Sequence, residues 1–80
     1  MKVYVIYYYP YHDNGEILGV FSTLENAKAR MPDLRWEDEG WYVENHANVV
    51  SQARSTELTE DQGVVTDVDY LIQERTIDEK

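Results

Sequence analysis

The side chains in this 80-residue chain that could do chemistry are few and scattered. Glu44 and His46 are two residues apart, which on a strand puts both on one face, and His12 adjoins Asp13. A metal centre needs three or four converging ligands, and with no Cys and only these two His neither pair makes one. Neither metal nor cofactor is expected. Nucleophilic catalysis fares no better, because Ser22 is taken up by helix capping and Ser51 and Ser55 have no histidine at a recognisable spacing. The four glycines, at 15, 19, 40 and 63, form no phosphate-cradling loop. The residues point to a protein that binds rather than an enzyme.

The chemistry the chain does carry is electrostatic and aromatic. Its formal net charge is −9; residues 1–34 hold four acids and three bases (net −1), and residues 35–80 hold twelve acids and four bases (net −8). Such an excess repels phosphate backbones and anionic bilayers, so neither direct nucleic-acid binding nor membrane attachment is expected. A basic protein surface is the complementary partner. Solubility alone, or life in high salt, would explain the same charge without a partner. There are seven Tyr and two Trp; Tyr7, Tyr8, Tyr9 and Tyr11 cluster near one turn, and Trp36, Trp41 and Tyr42 flank Glu37-Asp38-Glu39. That is hot-spot composition, although the same rings could fill a core short of aliphatic residues. The candidate partner-binding set is therefore Trp36, Glu37, Asp38, Glu39, Trp41, Tyr42, Glu44, Glu60, Asp61, Asp67 and Asp69. In the sharpest form of this expectation the carboxylates stand in for phosphates in the groove of a nucleic-acid-binding protein. The alternative is a small-molecule or nucleotide binder with Tyr and Trp stacked about the ligand at an oligomer interface. Against it stands the shortage of bases, with only Arg35, Arg54, Arg75 and Lys80 in the later half.

The elements that must position these groups read as one α+β domain, a small antiparallel sheet of three to four strands with one helix on one face. Residues 2–9 and 16–21 are rich in Val, Ile, Tyr and Phe and flank Asn14-Gly15, a hairpin-turn pair, although Pro10 allows a longer loop. The first strand is apolar on both faces, with Val3, Val5, Tyr7 and Tyr9 on one and Tyr4, Ile6 and Tyr8 on the other, so it should be central. Ser22 and Glu25 form a capping box, and Leu24, Ala27, Lys28 and Met31 give a helical stripe that Pro32 stops. Residues 41–50 alternate as a strand, 51–62 are polar enough for a short helix or a loop, and 64–73 alternate again as a half-buried strand. One helix cannot cover both faces of a two-faced strand, so a symmetric homodimer is expected to cover the second. Absence of Cys, of a targeting segment and of a membrane-length apolar run fits the cytoplasm of a bacterial or archaeal host.

Lys2-Val3-Tyr4-Val5, Ile17-Leu18-Gly19-Val20-Phe21-Ser22, Glu25-Asn26-Ala27-Lys28 and the later Tyr70-Leu71-Ile72-Gln73-Glu74-Arg75-Thr76-Ile77-Asp78 resemble a family of small bacterial and phage proteins known only as a domain of unknown function. The resemblance covers residues 2–30 and 69–78. It implies a hairpin, a capped helix and a closing strand over 69–78, with residues 35–68 as an acidic, Trp-bearing insertion. It carries no active-site residues. It does imply a phage or mobile-element origin, and with it a small protein that blocks a host or defence protein.

Overall fold

The computed structural model describes residues 1–9, 15–59 and 63–77, the side chains of 57–59 and 64–66 excepted. The elements run β1 (Lys2–Tyr9), β2 (Glu16–Phe21), α1 (Leu24–Arg30), α2 (Trp41–Asn45), β3 (Val49–Thr59) and β4 (Val64–Thr76). The strands form one antiparallel sheet in the order β2-β1-β4-β3. This is the expected α+β architecture, with β1 central. The Asn14 half of the expected turn lies outside the described residues. On β1, Tyr4, Ile6 and Tyr8 face α1, and Val3, Val5, Tyr7 and Tyr9 face the other way, because successive strand residues alternate. β1 pairs along its whole length with β4, from Lys2 opposite Thr76 to Tyr9 opposite Asp69. Beyond Tyr9, among the described residues, β3 and β4 run on as a two-stranded ribbon, with Thr59 opposite Val64 at its far end.

α1 starts one residue later than the capping box suggests. Thr23, in extended conformation, is the cap, its Oγ1 accepting the Asn26 N–H at 3.1 Å and satisfying one of the first-turn donors. The helix ends at Arg30, before Pro32. Its inward face buries Ala27 completely against Ile6 and Ile72, with Tyr4, Phe21, Leu24 and Val50 around them. A second cluster on the same face joins Ala53, Val68 and Tyr70 to Tyr8, Met31 and Leu34; Leu18 and Trp36 touch both clusters. Each large apolar side chain fully buried here contributes about 1.5–3 kcal/mol.

Three expectations are corrected. Residues 41–50 are not one strand: Trp41–Asn45 is a short helix, followed by Asn48 at φ 74° before β3 begins. Residues 51–62, expected as helix or loop, supply most of β3. The alternation is present, but its inward positions are Ser51, Ala53 and Ser55 against Ile72, Tyr70 and Val68, so hydropathy alone misses it. Ser51 is fully buried and satisfied, its hydroxyl donating to the Glu37 carbonyl at 3.1 Å. The closing strand that the resemblance put at 69–78 starts at Val64, where the alternation over 64–73 places it. Residues 35–68 therefore hold a whole strand and part of another, and they are part of the sheet rather than an appendage to it.

Candidate partner-binding site

The chain leaves α1 on one face of the sheet and reaches the other by wrapping round the β3 edge. Glu37 pairs with Gln52 across that edge, N–H to carbonyl in both directions at 2.8 and 2.9 Å. The crossing is made at Gly40, at φ 145° and ψ −176°, a conformation open essentially to glycine alone. A Cβ here would sit 2.5 Å from the Gln52 side chain. That closeness has a use. The Gln52 Oε1 accepts the Tyr42 N–H at 2.9 Å and the Val43 N–H at 3.4 Å, so a β3 side chain does the capping that Gly40 cannot do for α2.

α2 presents an aromatic group. Trp41 is 62% exposed. Its ring meets Tyr42 edge-on at 5.2 Å and 88°, and His46 at 5.4 Å and 62°, while Tyr42 and His46 stack at 5.6 Å and 28°. His46 was outside the candidate set. Its signal was the four-residue spacing from Tyr42, which brings two rings together on a helical turn but puts them four positions apart on a strand. Tyr42 is anchored beneath the group: its hydroxyl donates to Asp69 at 2.8 Å, and burial together with that carboxylate pushes the phenol above its ordinary range. Beside it lies a cavity of about 170 Å³ lined by Tyr9, Tyr42, His46, Val49, Leu71 and Gln73.

The acidic candidates divide. Asp38 bonds to Lys28 of α1 at 2.9 Å, which holds its carboxyl below the ordinary carboxylate range, and Asp69 takes the Arg54 Nε–H at 3.0 Å as well as Tyr42. These two are internally neutralised. Glu37, Glu39, Glu44 and Asp67 are exposed and form no ion pair among the described residues. Glu60 and Asp61 lie outside the described residues. Trp36 belongs to the core: it packs on both clusters and its Nε1–H donates to the Met31 carbonyl at 3.3 Å, so it is no surface anchor. The arrangement brings Trp41, Tyr42 and Glu44 together on α2, with Glu37 and Glu39 on the approach to it.

On the α1 face, a groove of about 310 Å³ is lined by Tyr8, Glu16, Leu18, Arg30, Met31 and Tyr70, the two tyrosine rings 5.2 Å apart. Among the described residues no cluster of three or more His, Cys, Asp or Glu could hold a metal ion, and no helix is long and apolar enough to cross a membrane. In comparison with known proteins, the model of a family described as a domain of unknown function (DUF7336) matches residues 1–79 and so takes in the 35–68 segment that the resemblance set apart. No curated protein and no solved structure matches the chain.

Proposed function

For a chain that belongs to the DUF7336 family, a domain of unknown function, we propose a non-enzymatic binding role in which the α2 surface docks on a basic patch of a protein partner. Trp41 is the anchor, and Glu37, Glu39 and Glu44 are the acidic surround. The observation that carries this is Trp41 itself: a tryptophan held 62% exposed on a five-residue helix, braced by two aromatic neighbours. Large aromatic anchors surrounded by complementary charge are what interfaces use for affinity and for on-rate respectively. A partner whose basic patch serves nucleic acid fits best, and a phage or mobile-element protein blocking such a host or defence protein in the cytoplasm is the biological form proposed.

The test is capture from host lysate with wild-type protein, Trp41→Ala, and the triple variant Glu37→Gln, Glu39→Gln, Glu44→Gln. One basic protein should be recovered by wild type, lost with Trp41→Ala, weakened by salt or by the triple variant, and displaced by added nucleic acid. Equal capture by wild type and Trp41→Ala would refute the assignment. The 310 Å³ groove favours a small-molecule ligand instead, since it pairs two tyrosine rings with Arg30. Native mass spectrometry showing a co-purifying compound that is lost on Leu18→Trp would decide for that alternative.

A further inference from the structure

The sheet has two edges, and the chain treats them differently. The β3 edge is closed: Glu37 pairs with Gln52 along it, a bulge falls between Val49 and Ser51, and α2 packs beside it. No segment pairs with the β2 edge among the described residues; its bulge at Leu18 and the packing of α1 on one of its faces leave its outer backbone without a partner strand. Its sequence, Glu-Ile-Leu-Gly-Val-Phe, holds no proline and no lysine and one charge at its start. Ile17 and Val20 are 58% and 57% exposed there, both on the face opposite α1, beside Tyr7 and Tyr9, whose rings stack at 6.1 Å. They share a face because Leu18 is an extra residue in β2, the register shifting between Ile6 and Tyr7. An edge strand of this kind is a template for pairing with another strand.

We propose that β2 is a self-association edge, pairing antiparallel with β2 of a second copy to make one continuous eight-stranded sheet. Charge selects the occupant. Residues 3–24 contain only two charged side chains, Asp13 and Glu16, in a chain of net −9. Two copies repel least along this hairpin, and a basic partner finds little there to neutralise. A two-fold axis perpendicular to the sheet keeps each face continuous across the junction. With the axis between Leu18 and Gly19, Ile17 of each copy opposes Val20 of the other as an apolar cross-strand pair. The two α2 helices then lie on one face of the joined sheet, roughly 30 Å apart at about 4.8 Å per strand. The dimer offers its Trp41 surface twice, to two sites or to a two-fold partner.

The six-residue seam is about 20 Å long, so assembly is expected in roughly the tens to hundreds of micromolar. The experiment is sedimentation equilibrium from about 10 µM to about 1 mM, bracketing that range, on wild type, Val20→Lys, Ile17→Lys and Trp41→Ala. Wild type and Trp41→Ala should rise together from 9.4 kDa toward twice that mass, and each lysine variant should weaken association at least about tenfold by placing unmatched charge on the seam. A wild type that stays at 9.4 kDa throughout, or lysine variants that associate like wild type, would overturn the proposal. Independently of any variant's folding, amide hydrogen exchange in wild type should slow with concentration at residues 16–21. Slowing confined to residues 41–46 instead would also overturn it. None of these outcomes depends on the basic partner, so failure here leaves the α2 assignment standing.

Discussion

Gly40→Ala tests the crossing on which the site depends. Two costs add. Holding a non-glycine residue at φ 145° and ψ −176° costs about 1–3 kcal/mol. The new Cβ, 2.5 Å from the Gln52 side chain, must also drive that amide away and break its bonds to the Tyr42 and Val43 N–H groups, each about 1 kcal/mol net. Together they come to about 3–5 kcal/mol, a large share of the roughly 4–12 kcal/mol expected for a domain of this length. Urea unfolding followed by tryptophan fluorescence reads the loss as a fall in midpoint, about 2–4 M at a slope near 1.2 kcal/mol per M. The Gln52→Ala background separates the two parts. Gln52→Ala alone should cost about 1–2 kcal/mol, and Gly40→Ala added to it should cost only the backbone strain, so the pair is less than additive. A single Gly40→Ala cost below about 0.5 kcal/mol, or strict additivity with Gln52→Ala, would refute the reasoning that Gly40 is required by both dihedral and packing.

The two tryptophans should behave oppositely: Trp36→Ala should destabilise by about 3 kcal/mol in the same unfolding assay, and Trp41→Ala by less than about 1 kcal/mol, while only Trp41→Ala removes partner capture at temperatures where both are folded. Tyr42 has its folded pKa raised, so its protonated form is the one the fold favours; that contribution is whole below about pH 10 and is lost as pH rises through the raised value. Tyr42→Phe should cost about 1 kcal/mol at neutral pH and remove that alkaline loss, measured by stability curves between about pH 8 and 11. Asp38 has its folded pKa lowered by Lys28, so its contribution is present above about pH 4 and is lost as pH falls through the lower folded value. Because the pair is exposed, Lys28→Met should cost only about 0.2–1 kcal/mol, and the Asp38 carboxyl should return toward the ordinary range in an NMR titration.

The parts of this fold that hydropathy encodes were legible in the residues, and those encoded by geometry were not. β1 declares itself central because both of its faces are apolar, and the α1 stripe over Leu24, Ala27 and Met31 has the period of a helix lying on one sheet face. β3 hides because its inward residues are Ser51, Ala53 and Ser55, small side chains in a face where Met31, Leu34 and Trp36 pack on the Ala53 cluster. α2 hides because five residues are too few to show a period and because its cap comes from Gln52, ten or so positions away, rather than from a neighbouring Ser or Asp. For the same reason Trp36 and Trp41, equivalent in a composition, separate into a core residue and an exposed one. What distinguishes them is the turn at Gly40 between them.

The pairing of β1 with β4 has a consequence for how the chain folds. The β1–β2 and β3–β4 hairpins close locally, but the strip that joins them includes a hydrogen bond between residues 76 positions apart. Contacts of that span are slow to form, since the intervening chain must be ordered before they contribute. During synthesis β1 emerges before α1, α2, β3 and its partner β4. Until β4 arrives, a strand apolar on both faces has one edge unpaired, while more than fifty residues between them are added. The interval in which this protein is most exposed to misassociation therefore precedes the folded state and is set by its topology, and the charge concentrated in its later half is added to the chain during that interval.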